Sequence, residues 1–128
     1  MKKTFVFVYG TLMRGEANHR LLVDAERVGA AVTMGQLFDL GSFPALVLTG
    51  TDDLVDGELY RVTDAELAAL DRLEGVKFGL YTRVKVAVLC GERKLRAQTY
   101  TQSRAEQRGR PRIESGSWRE HKGRRFAS

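Results

Sequence analysis

Between Tyr81 and Leu89 the side chains alternate, with Tyr81, Arg83 and Lys85 on one side and Val84, Val86 and Val88 on the other. A period of two belongs to a half-exposed β-strand and cannot be accommodated on one face of a helix. Gly91-Glu92 then reads as a hairpin turn, and Lys94 to Thr101 returns antiparallel. This hairpin sets the class of fold, because other short runs share its chemistry. Thr4–Tyr9 is rich in β-branched and aromatic residues, reads as a central strand, and ends at Gly10. Residues 30–38 suit a strand after a break at Gly29. Phe43 to Leu48 suits a short one entered at Pro44. Leu54 to Val62 suits another, with Gly57 at a bulge or close approach.

Helix signals are few. Residues 18–23 read as a short helix with Asn18 as a possible cap. The clear helix follows Thr63, which stands three residues before Glu66, the spacing of a capping box. Asp64 and Glu66 favour its positive end, and Leu67, Leu70 and Leu73 form the expected buried stripe up to Gly75. The pattern therefore predicts an α+β fold. Its sheet is small, mixed and mostly antiparallel, has about six strands, and curls toward a barrel flanked by two short helices.

With 128 residues there is room for one domain and a genuine core. One cysteine, Cys90, excludes an internal disulfide and any cysteine-based metal cage. The run Phe5–Tyr9 behind Lys2 and Lys3 is too short for a signal peptide or a membrane span, so a cytoplasmic protein with no membrane partner is expected. The net charge of +5 is uneven: residues 1–103 are neutral, and all the excess lies between residues 104 and 128. That end lacks the aromatic interleaving of a stacking platform, so nucleic acid is disfavoured as a partner. It reads as a solvated terminus, with Trp118 folding back as an anchor. The expected division is one domain over 1–118 and a basic tail over 119–128.

Two features carry chemistry. The loop Tyr9-Gly10-Thr11-Leu12 follows a buried strand, and its successive N–H groups suit a carboxylate or an oxyanion. Glu74 ends the apolar stripe, where partial desolvation would raise its pKa and suit proton shuttling; Asp71, three positions earlier, could push the same way. Tyr81 and Arg83 share a strand face and could line a pocket or simply be surface residues. His19 and His121 stand far apart with no third ligand in view, so no metal site is expected.

The order of four motifs then resembles a known family, the gamma-glutamylcyclotransferase-like proteins. They are Val8-Tyr9-Gly10-Thr11-Leu12; Gly57-Glu58-Leu59-Tyr60-Arg61-Val62 with Leu70-Asp71-Arg72-Leu73-Glu74-Gly75; Gly79-Leu80-Tyr81-Thr82-Arg83-Val84; and Ile113-Glu114-Ser115-Gly116-Ser117-Trp118. The resemblance implies a small twisted barrel, with Glu74 as the catalytic carboxylate. It further implies that Tyr9, Gly10, Thr11 and Leu12 hold a glutamyl moiety, with Tyr81 beside the cavity. Arg83 is carried as a further candidate for binding. The implied activity, of acyltransferase or lyase type, closes a gamma-glutamyl amine, amino acid or conjugate to 5-oxoproline and needs no cofactor. A chain this short implies less material over the pocket, and so room for a larger conjugate. Where small bacterial members often carry Gly-Asp-Trp, this chain has Gly116-Ser117-Trp118. The alternative is a metabolite-binding or regulatory protein on the same fold; the oligomeric state stays open.

Overall fold

The computed structural model describes residues 3–127, with side chains through residue 123. Lys2, named above with the run Phe5–Tyr9, and the side chains of Arg124 and Arg125, which belong to the basic excess over residues 104–128, lie outside the description. Eight strands are present: β1 (Thr4–Val8), β2 (Glu26–Met34), β3 (Gln36–Asp39), β4 (Pro44–Val47), β5 (Leu54–Val62), β6 (Thr82–Cys90), β7 (Arg93–Thr101) and β8 (Arg112–Ile113). The helices are α1 (Asp64–Leu73) and α2 (Trp118–Ala127).

Five strands close on themselves. β1 pairs antiparallel with β5, β5 with β2, β2 with β6, and β6 with β7. β7 then meets β1 in parallel at Gln98 and Val6, which closes the ring. Closure removes the open edges that a small sheet would otherwise expose. Inside stand Phe7 and Leu59, neither with exposed surface, and Ala97, Val86 and Val88.

The other three strands form an annex. Past its contact with β1, the same β7 continues to pair in parallel with β4, at Thr101 and Leu46. β4 pairs with β3, and β3 with β8. β1 and β4 thus share β7 as a neighbour at successive positions and must part from each other beyond it. A crevice opens where they part.

Three expectations about elements need correction. The strand expected over 30–38 is two strands divided at Gly35, and it starts earlier, because β2 runs through Gly29 at a bulge against β5. The stripe on α1 is uneven: Leu70 is fully buried, worth about 1.5–3 kcal/mol, but Leu73 is exposed because the helix end opens onto the crevice. The capping box of Thr63 and Glu66 is formed in both directions, at 3.2 and 2.8 Å. Residues 119–127, read as part of a tail, are helical. Arg119 is paired with Glu58 and Glu16, His121 with Asp39 at 2.7 Å, and Lys122 with Glu16. The attachment therefore reaches beyond Trp118, which is itself buried. No helix among the described residues is long and apolar enough to cross a membrane.

Candidate active site

The crevice between β1 and β4 is a cavity of about 210 Å³. Tyr9, Gly10, Thr11, Leu12, Glu74 and Tyr81, drawn from three separated stretches of the sequence, all line it. Arg83 does not. Its Nε lies 3.0 Å from Oδ1 of Asp71, and the Tyr100 hydroxyl donates to the same oxygen at 2.7 Å. Asp71 is thus occupied by Arg83 and Tyr100, and it is not what shifts Glu74.

The two tyrosines of the wall have their hydroxyls committed to the fold. Tyr9 donates to the Tyr100 carbonyl at 2.6 Å and accepts the Leu46 N–H at 3.2 Å, so it bridges β4 and β7 beside the split. Tyr81 donates to the Pro44 carbonyl at 2.8 Å. Their rings, not their hydroxyls, face the role of wall. Gly10 has a steric reason to be glycine, since a Cβ there would sit 2.7 Å from the Pro44 ring. Any side chain at position 10 would force β1 and β4 further apart.

The loop after β1 is held by its own hydrogen bonds. Asn18 donates through its backbone to the Thr11 carbonyl and through Nδ2 to Thr11 Oγ1, both at 2.8 Å. Asn18 therefore braces Thr11 instead of capping the 3-10 turn at His19–Leu22, where it makes no side-chain cap bond. His19 Nδ1 lies 3.0 Å from the Leu12 carbonyl. The amides of Thr11 and Leu12 donate to no group among the described residues. Thr11 and Leu12 both line the cavity, and their two N–H groups are left without a partner among the described residues.

Glu74 enters at the end of α1. Its N–H donates to the Leu70 carbonyl at 2.9 Å, so its backbone is still helical. Gly75 follows with φ of 64°, which reverses the chain at once and lets Leu80 pack back to 3.0 Å from where a Cβ would stand. The carboxylate is half-buried and receives no hydrogen bond among the described residues, and burial raises its pKa to about 7. Three tyrosines bound the same space. Burial pushes the hydroxyls of Tyr9, Tyr81 and Tyr100 well above their ordinary value, and the Glu74 charge pushes each further. All three are neutral at physiological pH, so the carboxylate is the one charged group on the wall.

Sequence reasoning did not find Phe43, Pro44, Leu73, Leu80 and Tyr100 as lining residues. Pro44 and Tyr100 reach the site only because β4 and β7 are neighbours, and no local pattern carries that. Ser117, at the departure from Gly-Asp-Trp, is not at this cavity. Its Oγ accepts the Glu120 N–H at 3.2 Å and caps α2. Serine and aspartate are comparable N-caps, so the exchange preserves the local function.

A carboxylate whose pKa burial raises to about 7 lines the same cavity as Thr11 and Leu12, at a seam of a closed five-stranded barrel. The family model for gamma-glutamyl cyclotransferase, AIG2-like, matches residues 6–120, and the chain belongs to that family. A gamma-glutamylcyclotransferase family protein of Escherichia coli, YtfP, is 35% identical over 115 residues, which cover 88% of this chain and 94% of that protein. The gamma-glutamylaminecyclotransferase of Rattus norvegicus is 34% identical over 94 residues, covering 65% of this chain and 62% of that one. An Arabidopsis thaliana relative, 37% identical over 99 residues (70% of this chain), is matched over 53% of its length. The chain thus spans between half and two-thirds of these last two relatives. The crystal structure of an AIG2-like protein from mouse superposes with a TM-score of 0.78 at 28% identity, covering 89% of this chain and 88% of that one.

Proposed function

We propose that this protein cyclises the gamma-glutamyl group of a gamma-glutamyl amide to 5-oxoproline and releases the amine, with Glu74 moving the protons. One observation carries the reading: a half-buried carboxylate with no hydrogen-bond donor, held near pKa 7, shares a cavity with the free amides of Thr11 and Leu12. A general base and acid works best when its pKa lies near the working pH. Glu74 meets that condition because it lacks the donors that would lower it.

The substrate's alpha-ammonium group gives a proton to Glu74. The freed amine attacks the gamma-carbonyl carbon, and the new C–N bond closes a five-membered ring. Negative charge gathers on the former carbonyl oxygen. The amides of Thr11 and Leu12 either steady that oxygen or hold the substrate's carboxylate. Glu74 returns the proton to the leaving nitrogen as its bond to carbon breaks, and the second proton of the ring nitrogen follows through the same carboxylate to the released amine, so the lactam nitrogen ends neutral, the amine leaves as an ammonium and the carboxylate ends as it began. Ring closure joins two parts of one molecule, and a small cavity that fixes the bent conformer supplies much of the rate. Tyr9, Gly10, Leu12 and Tyr81 shape that cavity. Arg83 acts at one remove, through Asp71 and Tyr100.

The test is 5-oxoproline release from a panel of gamma-glutamyl amides and dipeptides by the intact protein and by Glu74→Gln. Turnover by the first and its loss in a folded second is the expected result. No turnover of any panel member by a folded protein overturns the reading.

A further inference from the structure

Asp71 stands about one helical turn before Glu74, and positions three apart are neighbours on a helix. The two acids share their surroundings. The Tyr100 hydroxyl is pushed up by burial, then by Asp71, and also by Glu74, while Arg83 pulls it down. Yet the donors in that space all go to one acid. Tyr100 donates to Oδ1 of Asp71 at 2.7 Å, and Nε of Arg83 stands 3.0 Å from the same oxygen. Arg83 faces Tyr100 across the β6–β7 ladder and lies two residues beyond Tyr81, so both donors sit at the border of the cavity that Tyr81, Tyr100 and Glu74 line.

The remaining groups around Glu74 are engaged elsewhere or keep off the wall. Tyr9 and Tyr81 donate their hydroxyls to the carbonyls of Tyr100 and Pro44. β4 brings Pro44 to the wall and no titratable group. Arg110 and Glu106, whose charges reach Tyr81, are held by Gln102 and Gln107 and by Ser103. Arg72 and Lys77 do not line the cavity. Arg83 is therefore the cation best placed to reach Glu74, and Asp71 holds it.

An arginine beside a carboxylate favours its charged form and weakens it as a base. A tyrosine hydroxyl donated to it acts in the same direction. Resting on the cyclotransferase reading above, we propose that Asp71 is a positioning residue, a decoy acceptor that intercepts Arg83 and Tyr100 and so keeps Glu74 without a donor, free to take the substrate's proton. Asp71 touches no substrate in this role. It acts through what it withholds from the acid one turn further on.

The test follows the Glu74 carboxyl by carbon-13 NMR in the intact protein, with Glu74→Gln assigning the signal, beside the pH profile of kcat/KM on a gamma-glutamyl amide that turns over. The parent signal should titrate with a midpoint of about 7. Asp71→Asn keeps the shape of the side chain but gives up the charge that holds Arg83. The guanidinium then turns to Glu74, and the midpoint falls by about one pH unit or more, with the acid limb of kcat/KM following it. Arg83→Gln breaks the same ion pair but frees no cation, so the midpoint stays with the parent. Asp71→Asn combined with Arg83→Gln brings it back. A merely structural Asp71 would make the two single variants alike. An unchanged midpoint in folded Asp71→Asn, equal falls in both single variants, or no recovery in the double variant overturns the proposal. Should Asp71→Asn fail to fold, Asp71→Ala, which suits a helix, carries the same expectation. The NMR midpoints need no turnover. Turnover with unmoved midpoints removes the decoy and leaves the cyclotransferase reading; moved midpoints with every panel substrate inert remove that reading.

Discussion

Two carboxylates sit on opposite terms with this barrel. Glu58, on β5, is 3% exposed and fully provided for. It accepts the Arg14 N–H at 2.7 Å and the Tyr60 hydroxyl at 3.0 Å, with Arg27 at 3.3 Å and Arg119 at 3.5 Å. Burial alone would raise its pKa; those donors outweigh burial and hold it below the ordinary value. The phenol beside it is pushed up to about 12 by burial and by the Glu58 charge. Glu74 keeps more exposed surface than Glu58 but has no donor, so burial acts unopposed. The acid with less exposed surface is thus the more firmly ionised one, because it has donors and the other has none.

The difference assigns the two residues different work. Glu58 ties together parts distant in sequence. Arg119 from α2 reaches Glu58, Glu16 and the Arg14 carbonyl, while Glu58 takes the Arg14 N–H. The loop that begins at the cavity is therefore gripped at Arg14 on both sides of its peptide. Such a network is rigid because every member is satisfied. Glu74 is kept unsatisfied, and an unsatisfied acid is free to exchange a proton with a ligand.

The comparison breaks most visibly under mutation of the open acid. Glu74→Gln is expected to lower 5-oxoproline release by about 10²–10⁴-fold, with the circular dichroism spectrum unchanged. Equal activity would deny Glu74 its role. Glu58→Ala is expected to do the reverse. It leaves Arg27 and Arg119 without their buried partner and should cost about 3–5 kcal/mol in urea denaturation. A loss under 1 kcal/mol would show that the network is not a brace.

A third prediction separates the two by pH. The folded pKa of Glu74, about 7, exceeds its ordinary value of 4.5. Its ionisation therefore opposes folding, and the cost grows as pH rises between those values. Glu74→Gln removes that cost, so its melting temperature should gain on the parent between pH 5 and pH 8. Glu58 has the opposite sign: its contribution is complete above pH 4.5 and is lost as pH falls through its lowered folded value. Activity should show an acid limb with a midpoint about 7, where Glu74 becomes the base. The smallest effect falls at the α2 cap: Ser117→Asp should change stability by under about 0.5 kcal/mol and Ser117→Ala should cost about 1 kcal/mol, read from urea midpoints.

Much of the fold was readable along the chain. The β6–β7 hairpin, β5, and α1 with its capping box follow from period and turn chemistry, which are local. Glu74 was marked by its place after a leucine stripe and before Gly75, also a local cue. The Glu58 network had only a faint trace, an acid within the strand run Gly57-Glu58-Leu59-Tyr60, a setting where acids are depleted. Arg83 was grouped with the site because it shares a strand face with Tyr81. The partner that claims it, Asp71, lies on another element, and a strand's alternation says nothing of what packs above it.

The sequence by itself determined which segments could be strands or helices, and which residue types were on hand for chemistry. Those properties depend on neighbours within a few positions, through backbone sterics and side-chain periodicity. Tertiary structure alone decided that β1 and β4 share β7 and part beside it. That parting sets Thr11, Glu74 and Tyr81 around one small space, and it leaves Glu74 with no donor while Glu58 has four. Charge state and reach depend on groups brought together across dozens of residues, which chain closure arranges and local pattern does not encode.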